Sequence, residues 1–167
     1  RFVAACRALG LPAVGLSGVD GGALRARRRP PVEVDGEMID YGHVGDLVSV
    51  DASVLERVLA GGFLPIVSPI SADDDGKLLN VNADTVAAAI AIALGAEKLV
   101  LLTGAAGILE QSDDPRTLVP YTDLAGLEAL RDGGSLKDGM RPKAEAIAKA
   151  LREGVRRAHV IPSDTAD

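Results

Sequence analysis

Short apolar segments alternate along the chain with helical segments, and this alternation is the feature that most restricts the fold. Two near-continuous apolar runs, residues 63–70 and 98–102, have the composition of strands that are covered on both faces. Helical spacing is found at residues 84–94 and 142–152, and a glycine follows within two residues of each segment. Strands that alternate with helices predict an α/β fold with a mainly parallel sheet.

The other segments fit the same plan. We predict helices at residues 2–9, 52–60 and 124–131, strands at residues 12–16 and 158–161, a β-hairpin at residues 32–39 and a second hairpin tip at residues 73–76. Asp51 is the predicted N-cap of the second helix, and residues 25–31 form a basic stretch that ends in proline. Pro65 and Pro69 weaken the strand prediction for residues 63–70, because each removes a backbone donor.

The expected architecture is a three-layer αβα sandwich with residues 1–167 in one domain. The chain begins at Arg1 in what reads as the middle of a helix and stops soon after a strand. A sheet sandwich rarely ends without a helix to cover it. We therefore expect the sandwich to be incomplete at both ends.

Composition excludes several functional classes. Apolar residues make up 47% of the chain and aromatic residues 2%, so the core should consist of Ala, Val, Leu and Ile. A net charge of −6 argues against a general nucleic-acid binder, whose surface is normally basic. The single cysteine, Cys6, excludes a disulfide framework. No apolar run approaches the roughly 18 residues of a membrane span, and without a signal peptide a cytoplasmic location is expected.

The segment Asn80-Val81-Asn82-Ala83-Asp84-Thr85 lies between an expected hairpin and the start of a helix. Alternate positions of an extended segment project to the same side, so Asn80, Asn82 and Asp84 can converge on one site. Carboxamides supply both donors and acceptors for a small polar ligand. Spacing alone supports equally well a helix cap with solvent-facing asparagines, and both interpretations stay open.

A second segment, Gly139-Met140-Arg141-Pro142-Lys143, also precedes a helix. Glycine permits close backbone approach, and Pro142 suits the first helical turn. A lysine in that turn is locally unfavourable because the helix N-terminus is already positive. The unfavourable position of Lys143 is explained if its side chain faces an anion that also contacts free backbone N–H groups. The alternative is an ordinary exposed lysine.

The third segment is the expected buried strand at residues 98–102 with the loop of small residues that follows it. The carboxyl end of a strand is where open α/β sheets bind ligands. The glycine loop at residues 18–22 is best explained as a turn, and His43 and His159 are isolated. Zinc and thiol chemistry are therefore not expected.

Taken in order, several segments resemble the amino acid kinase family and, within it, the acetylglutamate kinases. The matching segments are residues 15–22, 42–46, 48–50, 80–85, 96–103 and 139–143. The resemblance covers nearly the whole chain. The N-x-N-A-D segment is its most specific part, because aspartate, glutamate, uridylate and carbamate kinases differ there. It implies an amino acid kinase-like fold of which residues 1–167 form the ATP-binding portion.

Acetylglutamate kinases transfer the γ-phosphoryl group of ATP to the γ-carboxylate of N-acetyl-L-glutamate, the second step of arginine synthesis by the acetylated route. The resemblance implies ATP with Mg²⁺ as cofactor and N-acetyl-L-glutamate as substrate. The acceptor is already ionised at neutral pH, so no general base is required. Catalysis should consist of positioning and of neutralising charge on the moving phosphoryl group.

The resemblance also assigns roles to residues. Lys143 would stabilise the transferring or leaving phosphate, and Asp84 would hold the catalytic lysines in place. Asn80 would bind the acetylglutamate, with Asn82 beside it. Two segments would line the ATP site: Gly104, Ala105, Ala106, Gly107, Ile108 and Leu109, then Ser135, Leu136 and Lys137.

The sequence departs from the family at three places. Relatives usually carry an aspartate at the position of Gly104. The family's amino-terminal half, which holds a Lys-x-Gly-Gly phosphate loop, another catalytic lysine and a substrate-binding arginine, is absent from this sequence. After Ile161 relatives continue into another helix and strand. We expect the 167 residues alone not to be a competent kinase.

Two other functions stay open: a noncatalytic nucleotide-binding or regulatory module of the same fold, and a kinase for a related amino-acid carboxylate. Relatives are homodimers or hexamers made of such dimers, so a homo-oligomer is expected. Some relatives also bind a PII signalling protein. Neither nucleic acid nor a membrane is an expected partner.

Overall fold

A computed structural model describes residues 1–111, 114–136 and 139–163. The chain divides into two compact units, Arg1–Val86 and Ala87–Asp167. In the described part of the chain, no helix has both the length and the apolar character needed to cross a membrane.

The first unit contains three small sheets and two complete helices. Its elements are α1 (Phe2–Ala8), β1 (Ala13–Ser17), a 3₁₀ turn (Asp20–Gly22), β2 (Leu24–Arg28), β3 (Val32–Val34), β4 (Glu37–Ile39), β5 (Gly45–Val50), α2 (Ser53–Ala60), β6 (Leu64–Ser68), β7 (Ile70–Ala72), β8 (Leu78–Asn80) and the start of α3 (Ala83–Ala93). Strands β1 and β6 pair in parallel, with Ala13 opposite Leu64 and Ser17 opposite Ser68.

The four-stranded sheet of this unit has the order β5-β2-β7-β8. Strand β2 pairs antiparallel with β5 and meets β7 in parallel at Arg25 and Ala72, and β7 and β8 form an antiparallel pair. Leu24 and Ala26 are buried on one face of β2, where the Ser71 hydroxyl donates to the Leu24 carbonyl at 2.7 Å. On the other face, Arg25 pairs with Asp74 through nitrogen–oxygen distances of 2.8 and 2.9 Å.

The second unit continues α3 and adds β9 (Lys98–Thr103), a 3₁₀ turn (Pro115–Thr117), α4 (Leu124–Asp132), α5 (Arg141–Arg152) and β10 (Arg157–Pro162). Strands β9 and β10 pair in parallel from Lys98 and Arg157 to Thr103 and Pro162. Alternate residues of β9, Leu99 and Leu101, are buried in a core with the inward side chains of α5. The inward side chains of α5 are mostly alanines, which permit close packing against the strands.

The α/β class, the parallel strand pairs and both hairpins are confirmed. The turn of the first hairpin lies at Asp35 and Gly36, whose φ angles of 52° and 85° suit the tight turn of a hairpin. The prediction of one strand across residues 63–70 was wrong, because β6 and β7 are separate strands on either side of Pro69. Helix α2 begins at Ser53 with Ala52 at its N-cap, so the prediction of Asp51 as the N-cap was wrong by one residue, although the Ser53 N–H donates to Asp51 Oδ1 at 2.9 Å.

Candidate functional site

The first turn of helix α5 lies at the carboxyl end of β9. Met140 occupies the N-cap position and no side-chain cap hydrogen bond is formed there, while Pro142 lies in the first turn. Lys143, one residue further, is only 7% exposed. Its Nζ donates to the Leu102 carbonyl at 3.5 Å. The first turn of α5 therefore brings a buried ammonium group to the carboxyl end of β9.

A cleft of about 290 Å³ opens at the same strand end. Three parts of the second unit contribute its walls: the end of β9 with the loop that follows, the segment after α4, and the two residues before α5. The lining residues are Thr103, Ala105, Gly107, Leu109, Ser135, Leu136, Gly139 and Met140. The position matches the expected ligand site at the carboxyl end of a strand in an α/β protein.

Hydrogen bonds fix the start of the cleft's longest wall. The Thr103 hydroxyl accepts from the Ala105 N–H at 3.3 Å, and the Thr103 carbonyl accepts from the Ser163 N–H at 2.8 Å. The loop is therefore tied both to itself and to the end of β10. This arrangement holds the backbone of Thr103 and Ala105 beside the opening of the cleft.

The far end of this wall forms a short antiparallel contact. Leu109 bridges Leu118, and the Val119 N–H donates to the Ile108 carbonyl at 2.9 Å. Gly107 has a φ of 143°, and a Cβ built on it would lie 2.7 Å from Leu118 Cδ1. The backbone angle favours glycine at this position, whereas the exposed Leu118 side chain could move aside.

The structure brings most of the predicted nucleotide-binding residues into one place. Ala105, Gly107, Leu109, Ser135 and Leu136 line the cleft. Gly104 and Ala106 are exposed within the same loop, Ile108 is buried in the core of the second unit, and Lys137 lies outside the described residues.

Three lining residues were absent from the predicted nucleotide-binding set: Thr103, Gly139 and Met140. Thr103 is the last residue of β9, so its place at the strand end could have identified it. Gly139 and Met140 belong to the segment already singled out for Lys143. Gly139 and Met140 are far along the chain from residues 103–109, so the sequence did not indicate that both segments line one cleft.

Gly104 has no structural reason to be glycine. A Cβ built at this position meets no atom within 4 Å, and its φ is not in the left-handed region. The aspartate expected from the resemblance would therefore fit here without a steric clash.

The asparagine segment lies in the first unit. Asn80 is the exposed last residue of β8, and its N–H donates to the His43 carbonyl at 2.7 Å. Asn82 precedes α3, and its Oδ1 accepts from the Thr85 N–H at 3.0 Å and from the Thr85 hydroxyl at 3.2 Å. Asp84 is half-buried in the first turn of α3. The helix-cap interpretation thus holds for the carbonyl oxygen of Asn82.

The glycine loop of residues 17–22 is closed by its own side chains, as expected for a turn. The Ser17 N–H donates to Asp20 Oδ2 at 2.6 Å and the Ser17 hydroxyl donates to the same oxygen at 3.0 Å. These bonds, the amide one above all, hold the pKa of Asp20 below its ordinary value. Gly18 is buried, and a Cβ on it would lie 2.7 Å from the Ile70 carbonyl oxygen.

The described residues contain no group of three or more His, Cys, Asp and Glu side chains that could hold a metal ion. Magnesium is bound in many phosphotransferases mainly by waters and substrate phosphates, with one or two carboxylates. Within residues 1–111, 114–136 and 139–163, no side chains form a protein cage for Mg²⁺.

The model of the amino acid kinase family matches residues 1–162. The chain is 45% identical over 166 residues to the acetylglutamate kinase of Myxococcus xanthus, covering 96% of this chain and 54% of that protein. It is 49% identical over 158 residues to the acetylglutamate kinase of Methanopyrus kandleri, covering 95% of this chain and 64% of that protein. The chain thus spans about half to two-thirds of the length of these curated relatives.

Solved structures agree with these relatives in fold. The N-acetylglutamate synthase of Neisseria gonorrhoeae, complexed with coenzyme A and N-acetyl-glutamate, superposes with a TM-score of 0.78 at 28% identity, covering 99% of this chain and 36% of that chain. The carbamate kinase of Giardia superposes with a TM-score of 0.68 at 15% identity, covering 98% of this chain and 62% of that chain. With a family match that extends over residues 1–162, this chain belongs to the amino acid kinase family.

Proposed function

We propose that the protein to which this chain belongs transfers the γ-phosphoryl group of ATP to the γ-carboxylate of N-acetyl-L-glutamate. Relatives at 45% and 49% identity are acetylglutamate kinases, which supports a phosphotransferase of this kind. The observation that carries the proposal is the position of Lys143. Its ammonium group is buried at the carboxyl end of β9, beside the residues that line the cleft.

A buried lysine in the first turn of a helix opposes the helix dipole, and the ammonium group also loses much of its hydration. A phosphate group bound nearby would add a favourable interaction with the ammonium group. In phosphoryl transfer the negative charge is spread over the oxygens of the moving group, so a fixed cation stabilises the transition state. Lys143 is the residue proposed for this role.

The acceptor carboxylate is ionised at neutral pH and needs no general base. It needs a fixed position, and the asparagine segment is proposed to supply it. Asn80 is exposed at the end of β8 and offers a complete carboxamide to a ligand. Asn82 uses its carbonyl oxygen for α3 but retains an amide donor. Asp84 is proposed to orient the cationic groups around the phosphates.

The cofactor, the pathway and the assembly of the enzyme are also proposed. ATP is expected to arrive with Mg²⁺ held mainly by the nucleotide's own phosphate oxygens, since the described residues form no metal cage. Arginine biosynthesis in the cytoplasm, assembly into a homodimer or hexamer, and control by a PII-type protein are proposed from the family resemblance.

The test is ADP formation by the purified protein with ATP, with and without N-acetyl-L-glutamate. The proposal expects ADP release that depends on N-acetyl-L-glutamate and is weaker with free aspartate or glutamate. Lys143→Ala should abolish most of this turnover, whereas Lys149→Ala, an exposed lysine of the same helix, should not. Both variants should have the thermal midpoint of unfolding measured as a check on folding.

The intact mass of the protein separates the remaining alternatives. If a protein of 17.2 kDa binds ATP but forms no ADP with any carboxylate, the chain acts as a nucleotide-binding module and the proposal fails for this molecule. Faster turnover with aspartate or glutamate would instead identify a kinase for a related carboxylate.

A further inference from the structure

Asn80, the residue proposed to bind N-acetyl-L-glutamate, lies where the two edges of the four-stranded sheet meet. Strands β5 and β8 are the edge strands of that sheet. Val44, the residue before β5, bridges Asn80 in parallel, and the His43 carbonyl accepts from the Asn80 N–H at 2.7 Å. The connecting segment between β4 and β5, residues 40–44, therefore joins the two edges at the backbone of Asn80.

The end of β2 holds the connecting segment in place. Arg28 Nε donates to the Gly42 carbonyl at 3.0 Å, and Arg28 Nη2 donates to the two Asp40 carboxylate oxygens at 2.9 and 2.6 Å. The Gly42 N–H donates to Asp40 Oδ1 at 2.8 Å and, with a smaller contribution from Arg28, lowers the pKa of Asp40. The Arg29 N–H donates to the Val44 carbonyl at 2.9 Å. One arginine side chain and one backbone amide thus fix both ends of the segment.

Gly45 permits the start of β5 to approach β8 closely. It is buried, and a Cβ built on it would lie 2.8 Å from the Leu79 Cβ and 3.3 Å from the Ala26 Cβ. Leu79 is 2% exposed and directly precedes Asn80, so its Cβ can move only together with the backbone that carries Asn80. An alanine at position 45 would therefore push the two edge strands apart beside Asn80.

We propose that Arg28 and Gly45 are positioning residues for the acceptor substrate. Through the connecting segment they hold the backbone of Asn80, so that its carboxamide meets N-acetyl-L-glutamate in one orientation. The inference rests on the proposed function, because it takes Asn80 as a substrate-binding residue. A carboxamide presents its donors and its acceptor in fixed directions only when its own backbone is fixed. A displacement of about 1 Å in such a group can cost about 10²-fold in rate.

The same strand provides a matched control for Arg28. Arg25 pairs with Asp74 as Arg28 pairs with Asp40, and all four side chains are at least half exposed. Asp74 lies in the turn before β8, at the end of that strand remote from Asn80. Ion pairs this exposed contribute little to stability, so the alanine variants of both arginines should unfold at nearly the same temperature as the parent. An effect on substrate binding alone then separates positioning from stability.

The experiment measures the KM for N-acetyl-L-glutamate in Arg28→Ala, Arg25→Ala, Asn80→Ala and the double variant Arg28→Ala/Asn80→Ala. Arg28→Ala should raise this KM by about fivefold, as expected for coupled neighbours, and leave the KM for ATP unchanged. Arg25→Ala should change neither KM. In the Asn80→Ala background, Arg28→Ala should have no further effect, because it acts through Asn80.

The outcomes distinguish failure of the inference from failure of the proposed function. If Asn80→Ala raises the KM for N-acetyl-L-glutamate but folded Arg28→Ala does not, the inference fails and the proposed function stands. Independent, multiplying effects of the two substitutions also overturn the inference. If the parent shows no turnover that depends on N-acetyl-L-glutamate, the proposed function fails and the inference fails with it.

Amide hydrogen exchange tests the geometry without turnover. Arg28→Ala should accelerate exchange of the Asn80 N–H by about tenfold, because the His43 carbonyl is no longer held against it. The Val81 N–H, which donates to the Pro69 carbonyl at 3.0 Å, should exchange as in the parent. Gly45→Ala should give the same pattern and a larger rise in KM, and the Arg28 series decides if this variant does not fold. Equal acceleration at both amides would indicate general loosening and overturn the inference.

Discussion

Helices α3 and α5 both begin within a motif of the candidate site, but their N-cap residues differ. At α3 the Asn82 carbonyl oxygen accepts from the N–H and the hydroxyl of Thr85. At α5 the N-cap residue is Met140, and no side-chain cap hydrogen bond is made. Thus the α3 start is completed by the side chain of Asn82, whereas the N-cap residue of α5 supplies no side-chain hydrogen bond.

This difference suggests how the two motifs divide stability and function. A side-chain cap contributes about 1 kcal/mol to the stability of a helix. Met140 at the N-cap of α5 makes no such contribution, and Lys143 places a positive charge in the first turn, where the helix dipole is also positive. We therefore expect substitutions at the α3 start to affect mainly stability, and those at the α5 start to affect mainly activity.

The largest expected effect is at Lys143. Lys143→Ala should lower kcat by about 10²–10³-fold, because it removes the fixed cation proposed for the transferring phosphate. The dissociation constant for ATP should change much less. The measurement is steady-state ADP formation together with nucleotide titration, and Lys149→Ala is the control on the same helix. An unchanged kcat would show that Lys143 has no role in the mechanism. The α5 start would then not differ from the α3 start in its importance for activity.

The next effect concerns the cleft wall beside the α5 start. Gly107→Ala should weaken nucleotide binding by about tenfold and lower the free energy of unfolding by about 1–3 kcal/mol, because alanine is strained at a φ of 143° in the wall of the cleft. Gly104→Ala is the matched control, since a Cβ there meets no atom within 4 Å. Equal effects of the two substitutions would show that the backbone angle of Gly107 does not shape the cleft.

A smaller effect is expected at the capped helix. Asn82→Ala should lower the free energy of unfolding by about 1 kcal/mol, since the Thr85 N–H loses its acceptor. Asn80→Ala should cost less, and its main effect should be a higher KM for N-acetyl-L-glutamate. Denaturant unfolding and initial rates measure the two properties. The comparison fails if Asn80→Ala is the more destabilising of the pair.

The smallest effect is expected in the glycine loop after β1, where the Asp20 side chain accepts hydrogen bonds from Ser17. Asp20 accepts from the Ser17 N–H, and its pKa is lowered in the folded chain. The stabilisation by Asp20 is therefore present above the unfolded pKa of about 3.9 and is lost as the pH falls through the folded value. Asp20→Asn should have a lower thermal midpoint than the parent at pH 7, and this gap should shrink near pH 3. A gap independent of pH would contradict the role of the carboxylate.

Local sequence signals predicted the elements whose causes are themselves local. The Asp35-Gly36 turn, the proline near the start of α5 and the glycines after α2 and α3 all act within a few residues. Strand β2 was missed because Leu24–Arg28 reads as a basic stretch. Its arginines are accommodated by partners far along the chain, such as Asp74 opposite Arg25, and such pairing has no local signature.

The same reasoning explains what could be predicted of the candidate site. The strand end at residue 103 and the loop after it were identifiable, because strand ends in α/β folds collect ligands. The place of Met140 in the cleft could not be predicted, because it depends on the tertiary packing that brings Met140 close to residues 103–109. Spacing also could not distinguish a cap from a ligand at Asn82, because the same carboxamide can serve both purposes.

The burial of Lys143 also gives the chain a built-in reporter of local opening. An amine-modifying reagent reaches the exposed Lys149 directly, whereas it reaches Lys143 only when the first turn of α5 opens. The ratio of modification at these two lysines, read by mass spectrometry, therefore measures how often that turn opens. A bound nucleotide that holds the turn closed should lower the ratio, so the unmodified protein can report occupancy of its own site.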